Sequence, residues 1–151
     1  MHRVALWALL ACGLASSACT ISQNVQPIDR TGIKKVCIIE DRSVRETFLP
    51  EYRKALTEIG FTSEVLPPDS PVSQCEVTST YLAKWSWDLT IYMSYCELKV
   101  FRDGELAGQA TYDSTKGSGN LGKFIDSEPK IRELVRNLYL GEGRKPAPAS
   151  N

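Results

Sequence analysis

Histidine is almost missing from this sequence. The 151 residues contain one, His2, and it stands at the extreme N-terminus. If the N-terminal segment is removed, no histidine is left. That would exclude histidine acid–base catalysis, Ser-His-Asp and Cys-His nucleophilic sites, and mixed Cys/His zinc sites. A charge of one sign is missing too: 18 Lys and Arg balance 18 Asp and Glu. Neither a basic tract nor a net field marks the chain for nucleic acid, and no nucleic-acid partner is expected.

Long apolar runs are equally scarce. The opening "MHRVALWALLACGLASSAC" carries Arg3, then an apolar run from Val4 to Leu10, then small residues before a cysteine. This is the layout of a bacterial secretory signal peptide, too short for a transmembrane helix. Ser16-Ser17-Ala18-Cys19 reads as a lipobox whose first position is Ser instead of the usual Leu. Residues 1–18 are therefore expected to be removed and Cys19 to carry the lipid. Ordinary cleavage after Ala18 and lipidation at Cys12 are the competing readings. Thr20 follows Cys19 where an aspartate often retains lipoproteins in the inner membrane, so the outer membrane is the expected destination, facing the periplasm. A soluble periplasmic protein is the alternative.

Export permits disulfides. Cys37, Cys75 and Cys96 remain in the mature chain, which allows one bridge and one spare thiol. Cys37 lies in an apolar run and Cys75 in a loop, so Cys37–Cys75 is the expected bridge. Cys96 is expected to be a buried free thiol, and three unpaired cysteines serving as small apolar core residues are the competing reading. Residues 19–32, with no periodicity, read as a spacer, residues 33–140 as a single domain and residues 141–151 as a disordered tail.

Within the domain, "IKKVCIIE" (Ile33–Glu40) reads as a strand buried on both faces. Ser43 with Glu46 three residues later forms a capping-box pattern, and Val44, Phe48, Tyr52, Ala55, Leu56 and Ile59 keep helical spacing up to Gly60. Pro50 should bend that helix or delay its start. "FTSEVL" is the next strand. Alternating stretches follow, with Asp103-Gly104 as a hairpin turn. Gly108 and Ala110 are expected to let a helix approach the sheet. Leu121 to Tyr139 repeat at helical spacing, with Ser127 as cap and Pro129 in the first turn. The order β-α-β-β-β-β-α predicts an α/β fold of the α+β type. The expected architecture is a two-layer sandwich with about five strands in a mixed sheet and two helices on one face.

Such a sandwich leaves its second sheet face open. Thr78, Thr80, Lys84, Thr90, Tyr92, Gln109 and Thr111 are the expected interaction face. Tyr81, Trp85 and Trp87 alternate onto one side and read as core beneath helices. Glu40 and Asp41, ending the first strand, and Asp113 are the carboxylates available to a ligand site, while Asp88 reads as a turn residue and Asp126 is another isolated acid. "KGSGNLGKF" contains both G-x-G-x-x-G (Gly117, Gly119, Gly122) and the start of a P-loop (Gly122-Lys123). Phe124 replaces the magnesium-binding hydroxyl, and no later strand supplies an acid. The stretch reads as the entry to the last helix, with Lys123 exposed, and no nucleotide, metal or other cofactor is expected.

Together "IIED", "TSTYLAKWSWDLTIYMSYCELKVF", "GELAGQATYDS", "GNLGKFI" and "KIRELV" resemble a family of small proteobacterial lipoproteins of unknown function. The resemblance spans Ile33 to Tyr139. It implies an envelope lipoprotein with a small α/β domain and brings no catalytic residue. The functional expectation is a lipid-anchored, non-enzymatic module for an envelope protein or polymer. A small-ligand binder or carboxylate-dependent enzyme is the alternative.

Overall fold

The computed structural model describes residues 21–117 and 119–142. Residues 1–18, expected as a signal peptide, Cys19 and most of the expected tail lie outside them. The fold is α/β, a six-stranded mixed sheet with two helices, one strand more than expected.

The additional strand, β1, is Ser22–Gln26. It corrects the reading of residues 19–32 as a spacer. Only Val25 among its five residues is apolar, so no alternation betrays it. What makes it a strand is its partner: Ser22 pairs with Asp113 and Gln26 with Gln109. The chain then turns inward, burying Ile28, whose N–H donates to the Leu138 carbonyl at 2.9 Å.

The other strands are β2 (Lys35–Ile39), β3 (Thr62–Leu66), β4 (Val77–Asp88), β5 (Thr90–Arg102) and β6 (Glu105–Asp113). They lie in the order β1-β6-β5-β4-β2-β3, with β2 parallel to β3 and β4 and the remaining pairs antiparallel. β2 is buried on both faces as its unbroken apolar run demands. Val36 and Ile38 join the main core, Cys37 and Ile39 a second, smaller cluster. Asp103 and Gly104 adopt positive φ, 52° and 87°, as a two-residue hairpin requires.

Helix α1 is Phe48–Glu58 and buries Phe48, Tyr52, Ala55 and Leu56. The capping box does not form. Asp41 Oδ1 takes both the Ser43 hydroxyl (2.6 Å) and its N–H (2.9 Å), so the chain turns there and the helix starts later. Pro50 consequently falls in the first turn, where its missing N–H costs nothing. Helix α2 is Ser127–Leu140, with Asp126, not Ser127, at the N-cap and Gly141 closing the helix at φ 68°. Leu121–Lys123 form a separate 3₁₀ turn before it.

Both helices pack on the same sheet face, over Tyr81, Ala83, Cys96, Leu98, Val100, Ala110 and Tyr112. The close approach at Gly108 belongs to the β1 exit, not to a helix. A Cβ there would meet the Gln26 carbonyl at 2.5 Å and Ile28 Cγ2 at 2.7 Å.

Candidate functional site

Three regions could meet a partner: the sheet face away from the helices, a cleft at the end of β2, and the loop holding the glycine pattern.

The outer sheet face is only partly open. Its β2–β3 half is covered by residues 67–76, which the Cys37–Cys75 disulfide ties down over Ile39 and Leu66, with Val72 packed beside them. Thr78 lies under this cover and is fully buried, which removes it from the expected interaction face. Among the described residues, no helix or loop covers the remaining half. Registers place Thr80 and Lys84 of β4, Tyr95, Glu97, Lys99 and Phe101 of β5, and Gln109, Thr111 and Asp113 of β6 on it, then Asn24 and Gln26 of β1. Lys84 and Lys99 balance Glu97 and Asp113 there. Lys99 pairs with Glu97 at 2.8 Å, and the Lys84 ammonium sits 5.9 Å from the Tyr95 ring centre. Thr90 and Tyr92 do not belong to this surface. A bulge between Lys84 and Trp85 and the end of β6 at Asp113 put them on a two-stranded extension. Tyr92 is buried there, edge-on to Phe124.

Alternation alone supplied Thr80, Lys84, Gln109 and Thr111. It missed the β5 residues Tyr95, Glu97, Lys99 and Phe101 because a strand inside a six-stranded sheet can turn either set inward. The larger apolar set, Cys96, Leu98 and Val100, was the available signal.

The cleft, about 520 Å³, opens between the end of β2 and the start of α1. Glu40, Asp41 and Glu46 line it with Arg42, Arg45 and Arg53, over Leu49 and Tyr81. The structure thus brings Glu40 and Asp41 together but leaves Asp113 on β6. The Asp41 carboxylate is engaged by Ser43, its N–H donates to the Tyr81 hydroxyl at 3.1 Å, and Glu40 pairs with Arg42 at 3.1 Å. Burial, above all, raises the Tyr81 hydroxyl pKa, so it stays protonated. The Arg45 guanidinium lies 5.2 Å from the Trp85 ring centre. Asp113 repeats the Asp41 turn: its Oδ1 accepts from the Thr115 hydroxyl at 2.6 Å and N–H at 2.8 Å, which holds its carboxyl below the usual range. Among the described residues no three His, Cys, Asp or Glu side chains are grouped as a metal site needs.

In the glycine loop Gly119 takes φ 79° and Asn120 Oδ1 accepts the Gly122 N–H at 2.9 Å. Lys123 is buried, not exposed as the sequence suggested: it is 5 % accessible and its ammonium pairs with Asp88. The Gly122 N–H and the Lys123 ammonium are thus both engaged within the protein. Of the aromatic row, Tyr81 and Trp85 do pack under α1 with Phe48, but Trp87 is 74 % exposed and leaves the core reading.

No family model and no curated protein matches the chain. Among solved structures the chain is similar to the PelC dodecamer from Paraburkholderia phytofirmans, at 10% identity and a TM-score of 0.48, covering 79% of this chain and 95% of that one. A leucine-to-methionine variant of that dodecamer matches at 10% identity and a TM-score of 0.47, over 79% and 94% of the two chains.

Proposed function

We propose that this protein is a non-enzymatic binding module of the bacterial envelope, lipid-anchored through Cys19 at the periplasmic side of the outer membrane, that docks an envelope protein on its outer sheet face. The supporting observation is the uncovered half of that face. In a two-layer fold a sheet face without a second layer must be solvated or occupied. Here it combines half-buried Tyr95 and Phe101 with amides and hydroxyls from Asn24, Gln26, Gln109 and Thr111. Aromatic groups inside a polar rim are what protein interfaces enrich. With its charges balanced on the face, selection of the partner rests on shape and hydrogen bonding rather than on a field. The test is photo-crosslinking in cells from residues placed at Gln109 and Thr111, with Arg136 on α2 as the control. A discrete protein adduct from the sheet positions alone is expected. Adducts only from Arg136 would overturn the assignment, and an adduct to polymer would replace protein by polymer as the partner.

The cleft supports a second reading, a small-ligand site. Three guanidinium groups and three carboxylates on an apolar floor suit a small molecule carrying charges of both signs. Because Arg45 lies over Trp85, a ligand engaging Arg45 should change the Trp85 fluorescence. Titration with amino acids and dicarboxylates reads this, and a flat response removes the second reading.

A further inference from the structure

At one end of the sheet β4 and β5 continue past their neighbours. The last rung shared with β6 joins Tyr95 to Asp113, and β1 reaches the same rung through Ser22. Beyond it two strands run on alone, paired through Trp87–Ile91 and Asp88–Thr90. The glycine loop packs on the Tyr92 side of this projection, and the positions left in solvent should be polar. They are not: Trp87, Leu89 and Ile91 are 74 %, 84 % and 54 % exposed. Trp87 and Ile91 are cross-strand partners, so their side chains share one side, and Leu89 forms the apex. Leu89 also takes φ 64°, where glycine or asparagine is favoured. Neither backbone nor water explains a leucine at that position.

The glycine loop adds a fourth apolar group at the same end. Lys123 binds Asp88 and Phe124 packs on Tyr92, which fastens the loop to the hairpin, and Leu121 is left 80 % exposed. Among the described residues, four of the five exposed large hydrophobics stand at this end, and only Leu106 lies elsewhere.

The first described residues, Ile21 and Ser22, stand on this side. Ser22, Asp113, Tyr95 and Lys84 occupy one rung, and β1 runs opposite to β4. Ile21, the first described residue, therefore lies on the side towards which β4 runs after Lys84, against Gly117 and Gly122 of the glycine loop. Cys19 is three residues before Ser22, a reach of about 10 Å. Trp87 is three residues beyond Lys84, again about 10 Å. The lateral offset of three strand spacings is about 14 Å. Cys19 and the apolar tip can thus lie at one level.

We propose that this end faces the membrane, with Trp87, Leu89, Ile91 and Leu121 seated at the headgroup–acyl boundary of the bilayer beside the lipid on Cys19. The inference rests on the anchor reading and extends it from a tether to a fixed orientation. Tryptophan is favoured at that boundary, and a second membrane contact turns a single anchor into a stable, oriented one.

The protein purified from membranes is weighed intact for acyl groups and mixed with vesicles of phosphatidylethanolamine and phosphatidylglycerol containing brominated phosphatidylcholine. Bromine quenching of tryptophan fluorescence is expected in the wild type, and Trp87→Phe should remove most of it while Trp85 remains unquenched. Leu89→Asp, on the exposed apex, should lower the quenching several-fold without loss of fold by circular dichroism. Acylated, vesicle-bound protein with unquenched Trp87 would overturn the proposal while leaving the anchor intact. Unacylated protein would overturn the anchor; quenching at saturating vesicles that Trp87→Phe removes would then still support the tip, and quenching that survives Trp87→Phe, or none, would overturn it. Trp87 shielded from acrylamide before vesicles are added would assign the patch to the N-terminal segment or to a second copy, and also overturn it.

Discussion

Tyr52 places its hydroxyl in the middle of the core, 2.7 Å from Ser79 Oγ and 3.0 Å from the Tyr139 hydroxyl. Burial pushes its pKa from 10.0 up to about 12, and that of the buried Cys96 thiol from 9.0 up to about 12. In both cases the folded state keeps a proton that the unfolded chain releases first. Their contribution is complete below the unfolded values and is lost as pH rises toward 12. Holding one proton that the unfolded chain has lost costs about 1.4 kcal/mol for each pH step of one, so Tyr52 alone should remove about 2–3 kcal/mol between pH 10 and 12. Urea melts across that range should show the decline, and Tyr52→Phe should make it shallower, leaving the part due to Cys96, while costing about 1 kcal/mol at neutral pH. Lys123 gives a second expectation at this scale. Its stem is buried and its ammonium holds Asp88, so Lys123→Ala should cost about 1–2 kcal/mol in the same assay. An exposed lysine would move the melt by no more than about 0.5 kcal/mol.

Strand β1 is the element on which the domain boundary turns. Its backbone crosses Gly108 so closely that any side chain there collides with the Gln26 carbonyl. Gly108→Ala should therefore separate β1 from β6, costing about 1–3 kcal/mol and raising amide exchange selectively over Ser22–Gln26. The covering segment over β2 and β3 depends on its tether. A bridge spanning 38 residues restricts the unfolded chain by about 4 kcal/mol in the loop-entropy treatment. Cys37→Ser with Cys75→Ser should lose a large part of that and expose Thr78, Ile39 and Leu66 to exchange. A double variant as stable as the wild type would show the cover to be held by packing alone.

At the scale of the whole molecule the sheet has two unlike ends. β5 spans 13 residues, about 43 Å, from the apolar tip to the polar Asp103-Gly104 turn. If the tip meets the membrane, a thiol at Asp103→Cys should react fully with a water-soluble maleimide on vesicle-bound protein, and one at Leu89→Cys should be protected. The bridge and the buried Cys96 leave the added thiol as the reactive one among the described cysteines. Much of this architecture was legible from residues alone. The Ile33–Glu40 apolar run, the helical spacing of Phe48, Tyr52, Ala55 and Leu56, and Asp103-Gly104 each carry their conformation in local sidedness or backbone preference. The Cys37–Cys75 pairing agrees with the preference for joining a strand cysteine to one in an adjustable loop. β1 was illegible because "SQNVQ" has no sidedness of its own and is a strand only through hydrogen bonds to residues more than 80 positions away. Thr78 and Lys123 look solvent-facing in sequence, yet a disulfide-held cover buries the first and the hairpin encloses the second. Trp87 reads as core until β6 ends before reaching it. Sequence by itself determined where the apolar periodicities fall and that three cysteines allow one bridge with one thiol left over. Only the tertiary structure decided which polar residues are covered and which apolar ones are left bare, because covering is a property of distant segments brought together.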